Sequence, residues 1–79
     1  MTFYGIVTAP TAPMHKTFDL NSERLCEAPQ GERLALHAKV DRMRLVVKLS
    51  DHSMGWMRES DFKITKTYQG NQGAAPNIL

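Results

Sequence analysis

Glu32-Arg-Leu-Ala-Leu-His-Ala-Lys-Val40 and, two residues later, Met43-Arg-Leu-Val-Val-Lys-Leu49 are the stretches on which the fold turns. In the first, Leu34, Leu36, Ala38 and Val40 share one parity, and Arg33, Ala35, His37 and Lys39 hold the other. In the second, Met43, Leu45, Val47 and Leu49 form the apolar set, with Arg44, Val46 and Lys48 between them. A period of two is the signature of a strand with one face buried, because successive side chains leave opposite faces of the pleat. Asp41-Arg42 separates the runs. A two-residue loop pairs Val40 with Met43 and brings the two apolar sets to one face, so the reading is a β-hairpin with its leucines and valines turned inward. In that register Lys39 lies opposite Arg44.

Working outward, Phe3–Thr8 is rich in aromatic and β-branched residues and reads as an opening strand. Residues 9–24 read as a long loop. Pro10 and Pro13 interrupt any ladder, and Asn21 or Ser22 could cap one helical turn through Leu25 and Cys26. Ala28-Pro-Gln-Gly31 is a turn into the first long strand, and Ser50–Ser53 is a polar turn. Gly55–Arg58 is a short strand, Glu59-Ser-Asp61 a turn or 3₁₀ piece, and Phe62–Tyr68 a last strand. Gly70 begins a Gly/Asn/Gln-rich segment of tail composition. The expectation is an all-β domain over residues 1–68, a small five-stranded barrel with a long first loop, followed by a flexible C-terminal tail over residues 69–79.

With 79 residues the chain is one domain with a thin stability margin. Hydrophobic residues make up 42% and charged residues 23%, a globular balance, and the formal net charge of +2 selects no partner by itself. A lone cysteine, Cys26, excludes an internal disulfide framework. Residues 1–20 hold no basic segment followed by an apolar run, and no stretch is long and apolar enough for a helical membrane span, so a cytoplasmic location is expected.

The segment from Arg44 to Phe62 resembles the distal end of SH3-like domains, bacterial ones especially: a strand, a polar turn, Gly55-Trp56-Met57, then Glu59-Ser-Asp61 and the apolar Phe62. Pro29-Gln-Gly-Glu-Arg-Leu-Ala-Leu36 is similar to the family's entry into its first long strand. Gly5-Ile-Val-Thr8 is similar to its opening strand, with residues 9–24 in the place of its long first loop. The resemblance spans residues 3–66 and implies a binding module. It also implies that the proline-rich-peptide groove of eukaryotic SH3 domains is absent. The family's middle aromatic positions fall near Met43 and Arg44, Arg58 stands where a proline would be, and Asp61 stands near the tyrosine; Trp56 and Tyr4 are the surface aromatics left. Cell-wall binding, common for bacterial members, is disfavoured by the lack of an export signal. Solitary SH3-like chains of this size are frequent among phage and mobile-element products, as assembly components or inhibitors of a host protein.

The candidate binding residues are Arg33, Lys39, Arg42, Arg44 and Lys48 on the hairpin, with Trp56 and Arg58 beside them. A cationic stripe opposite clustered acids suits an anionic partner: an acidic patch on another protein first, nucleic-acid phosphate second. A solvated face whose lysines guard a β-edge accounts for the same stripe without a partner. Trp56 is either an interface anchor or a cover for the barrel mouth. The spacings of His15, Cys26, His37 and His52 match no metal signature, no base is placed for Cys26 as a nucleophile, and no phosphate-cradling glycine loop occurs. The expectation is a non-catalytic protein that uses no cofactor and no metal.

Overall fold

The computed structural model describes residues 2–68. The chain runs β1 (Thr2–Val7), β2 (Thr11–His15), β3 (Arg24–Pro29), β4 (Arg33–Val40), β5 (Met43–Lys48), β6 (Met54–Arg58), a 3₁₀ turn (Glu59–Asp61) and β7 (Phe62–Tyr68). All pairings are antiparallel, in one sheet of order β3-β2-β6-β5-β4-β1-β7. The end strands β3 and β7 do not pair with each other, so the sheet is not closed. The architecture is therefore all-β, as expected, with seven strands among the described residues instead of five. The expected tail lies at residues 69–79, outside the described residues.

The two additional strands come from residues 9–29. The expected loop with a helical turn is instead the hairpin β2–β3, with Leu25 and Cys26 inside β3. Pro13 lies within β2 without breaking it. β2 meets β6 only at His15↔Trp56, so at Pro13 one flank of the strand carries no ladder to interrupt. Asn21 and Ser22 close a turn on Asp19: its carboxylate accepts from the Asn21 N–H at 2.9 Å, and its carbonyl accepts from Ser22 N–H at 2.9 Å and Ser22 Oγ at 2.6 Å. The polar side chains that suggest a helix cap serve that turn.

The central hairpin has the expected turn: Val40 pairs with Met43 and Lys39 with Arg44. The inward face does not follow from it. The register shifts between Leu36 and Lys39, where His37 and Ala38 oppose a single residue, Leu45. Beyond this bulge Leu36 pairs with Val46, Ala35 with Val47, and Leu34 with Lys48. Directly paired residues point to the same side, so one extra residue exchanges the faces of β5 relative to β4. Leu34, Leu36 and Val46 are buried, and Lys48 is buried with them at 9% exposure. Of the β5 residues expected inside, Leu45 and Val47 are half-buried on the outer side, and Leu49 is exposed. Ala38 and Val40 are also exposed. On β5 Met43 alone keeps the expected burial, in a groove it shares with Phe18 and Leu20, while on β4 Leu34 and Leu36 keep theirs.

The core joins Val7, Ala12, Met14, Ala28, Leu34, Leu36, Val46, Met57 and Phe62. Gly55 lets β2 approach β6: a Cβ there would lie 3.0 Å from Met14 Cβ and 3.3 Å from the His15 carbonyl oxygen. The exchange of faces makes a direct prediction. Val46→Ala should lower the unfolding free energy by about 1.5–3 kcal/mol and Val47→Ala by less than about 1 kcal/mol, read from urea midpoints at constant m. The reverse order would restore the unbulged register.

Candidate interaction surface

The bulge decides where the cationic side chains go. A bulge leaves backbone groups without a ladder partner, and Arg44 Nη1 donates to the carbonyl of His37, one of the bulged residues, at 3.2 Å. The Arg44 guanidinium lies 5.9 Å from the centroid of the Phe3 ring. Its Nε is 3.9 Å from Glu59 Oε2, an ion-pair distance beyond hydrogen-bond reach. Lys39 Nζ reaches the same carboxylate at 3.5 Å. Glu59 thus offsets the like-charge pairing of Lys39 with Arg44. Lys48 Nζ crosses under the sheet to donate to the Glu27 carbonyl of β3 at 3.3 Å, and it pairs with Asp51 Oδ2 at 3.5 Å. The Ser53 N–H donates to Asp51 Oδ1 at 2.9 Å. Hydrogen bonding from Ser53, with Lys48 adding its charge, holds the Asp51 carboxyl below its ordinary pKa.

The expected cationic stripe is therefore divided. Arg44 and Lys48 are packed inside, because the bulge places their parity on the core side. Lys39 is drawn to Glu59, and Arg58 donates from Nε and Nη2 to Asp61 at 3.1 and 3.2 Å. Arg33 and Arg42 remain exposed and are in no ion pair among the described residues. Trp56 is half-buried on the outer side of β6, opposite Leu45, with Met57 turned into the core.

What the same exchange creates is a second apolar surface. Directly paired residues form one outer row of Tyr4, Ala35, Val47 and Met54 across β1, β4, β5 and β6. The next row holds Leu45 and Trp56, and the last holds Val40, Met43 and Arg58. The Phe18 ring meets Trp56 edge to face at a centroid distance of 5.7 Å. Phe18, Leu20 and Met54 are each more than half exposed. A groove of about 890 Å³ at one end is lined by Phe18, Leu20, Val40, Met43 and Arg58 among others. A second, of about 490 Å³ at the other end, is lined by Tyr4, Ile6, Arg33, Leu49 and Thr65 among others. Phe18, Leu20, Val40, Leu45, Val47 and Met54 are not among the candidates that the sequence offers. The legible signal is the uninterrupted triplet Leu45-Val46-Val47, which puts apolar side chains on both faces of one strand.

His15 is buried, with Nδ1 donating to the Ser22 carbonyl at 3.2 Å, and Cys26 Sγ lies 3.6 Å from Met14 Sδ. Among the described residues no three His, Cys, Asp or Glu side chains gather as a metal set, and no helix is long and apolar enough to cross a membrane. No protein-family model, no curated protein and no solved structure matches this chain.

Proposed function

We propose that this chain is a non-catalytic protein-interaction module, an assembly component built on an SH3-like plan, and that it makes its contact through the outer face of β4, β5 and β6. The observation that carries the reading is the continuity of that face. Leu45, Val47, Met54 and Trp56 adjoin Phe18, Leu20 and Val40, and a contiguous exposed apolar patch of this kind marks a contact surface more often than chance. Three features support the SH3-like plan. A hairpin, β2–β3, projects after the first strand; β4, β5 and β6 form a meander; and a 3₁₀ turn leads into a last strand paired with the first. The division of the cationic stripe favours an apolar protein surface as partner over an acidic patch or nucleic acid.

Hydroxyl-radical footprinting tests the reading whatever the partner is. Met54, Trp56 and Phe18 react readily when exposed. They should be protected in extract from cells that carry the chain at native abundance, relative to the purified chain at nanomolar concentration. Lys39→Glu with Arg42→Glu should leave that protection unchanged. Equal labelling in both settings would remove the face as a contact. Oligonucleotide binding that weakens steeply with salt, and is lost in the double charge variant, would replace it with the nucleic-acid alternative.

A further inference from the structure

We infer that the surface around Ile6 is a binding site for a short acidic segment of a partner protein, one in which a carboxylate side chain adjoins an aliphatic one. The site lies at the opposite end of the sheet from Phe18 and Leu20. It holds whether or not the β4–β6 face is a contact.

The sheet register builds the site. Ile6 on β1 pairs with Arg33 on β4 and with Lys63 on β7, so the three side chains leave the same side of the sheet in one row. The Leu49 N–H donates to the Arg33 carbonyl at 3.0 Å, in step with the Leu34↔Lys48 pair before it, and this adds Leu49 to the row. The order across the strands is therefore Lys63, Ile6, Arg33, Leu49: cation, aliphatic, cation, aliphatic. Tyr4 and Ala35 form the next row on the same side. The groove of about 490 Å³ runs between the rows, lined by Tyr4, Ile6, Arg33, Leu49 and Thr65 among others.

The charge of this row is unanswered within the chain. Arg33 and Lys63 are exposed and in no ion pair among the described residues. The carboxylates near them in sequence are engaged elsewhere. Glu32 accepts from Ser50 N–H and Oγ at 3.4 and 3.2 Å, Glu59 pairs with Lys39 and Arg44, and Asp61 pairs with Arg58. Two strand pairings separate the Cα atoms of Arg33 and Lys63, about 10 Å, so both long side chains can close on one carboxylate lying over Ile6.

The floor decides which anion fits. Ile6 and Leu49, the latter 42% exposed, set aliphatic surface beside each cation, and an aliphatic residue next to the acid would cover it. A nucleic-acid backbone is tracked by a longer run of cations with several rings for bases to stack on. An anionic membrane is held by a larger basic cluster than this pair. An acidic and aliphatic peptide segment matches both halves of the row.

The probe is the acetylated and amidated tetrapeptide Glu-Leu-Glu-Leu, titrated into the isotope-labelled full chain and followed by amide chemical shifts. Saturating shifts are expected at Ile6, Arg33, Leu49 and Lys63, with Kd of about 0.1–1 mM at low salt and several-fold weaker binding at about 0.3 M salt. Arg33→Glu and Lys63→Glu should each weaken binding at least ~5-fold. Both side chains are exposed, so the core amides should keep their positions. The double variant should take Lys-Leu-Lys-Leu instead, an exchange that no loss of structure can produce. Gln-Leu-Gln-Leu and Glu-Ser-Glu-Ser should each bind at least ~5-fold more weakly than the probe. Absence of shifts up to about 5 mM peptide overturns the inference, as does an affinity indifferent to both charge variants. Equal binding of the glutamine peptide would mean that the cations are not read, and equal binding of the serine peptide that the groove is not; either overturns it. A thymidine oligonucleotide that moves the same amides, with a steeper salt dependence than the peptide, would assign the row to nucleic acid instead. None of these outcomes alters the protection expected at Met54, Trp56 and Phe18, so the two readings fail separately.

Discussion

Leu34→Ala is expected to lower the unfolding free energy by about 3–4 kcal/mol. Leu34 is fully buried and stands in the row Gly5–Leu34–Lys48 at the centre of the sheet. Truncation removes the transfer free energy of three carbons and leaves a cavity that β1 and β5, each paired to β4, can only partly collapse. At about 0.05–0.15 kcal/mol per residue, a chain of 79 residues has roughly 4–12 kcal/mol in total, so one substitution takes a large share. Urea denaturation should show the midpoint falling with m unchanged. The exposed neighbour Arg33→Ala should stay within about 0.5 kcal/mol of the parent. A loss below about 1 kcal/mol at Leu34 would mean that β4 does not face the core as described.

Arg58→Ala should cost about 3 kcal/mol for a different reason. The Asp61 side chain is 7% exposed, and among the described residues only Arg58 donates to its carboxylate. Removing the guanidinium leaves a desolvated anion without compensation, and that penalty exceeds the worth of the pair. The position is also mechanical. The Asp61 carbonyl accepts from Thr8 and Ala9 N–H groups at 2.9 and 3.2 Å, so the 3₁₀ turn ties the end of β1 to the start of β7. The reverse substitution, Asp61→Ala, should cost less, about 1–2 kcal/mol, because Arg58 is 47% exposed and can be rehydrated. Equal costs for the two single variants would show that Asp61 is wetter than its burial implies.

How much of this is legible in the sequence depends on the scale of the feature. The all-β class, the 41–42 turn and its Lys39–Arg44 and Val40–Met43 pairs follow from alternation, which is a local property. The short strand expected at Gly55–Arg58 and the turn or 3₁₀ piece expected at Glu59–Asp61 are also found, the strand one residue longer at Met54. The bulge at His37–Ala38 is not legible, because alternation continues through both residues and nothing in their chemistry marks an extra one. Its effect reaches far, since it exchanges the faces of all that follows on β5. Val46 and Lys48 lie inside against expectation for that single reason. The hairpin at residues 11–29 is hidden by Pro13 and by a polar turn that mimics a helix cap. Of the candidate site, Trp56 is found through its half-exposed place after Gly55. The apolar rows beside it are missed because alternation alone assigns their residues to the core.

The unclosed sheet has a consequence for handling the protein at high concentration. Among the described residues β3 and β7 each leave one flank without a ladder partner, and such an edge is a template onto which an extended polypeptide can add, the route by which β-rich chains grow into fibres. Each is only partly guarded: on β3 by Pro29 and the Arg24–Glu27 ion pair, and on β7 by the charge of Lys63 beside the exposed Ile64. Crowded, partly unfolded material should polymerise from the β7 side first, where no proline interrupts the run.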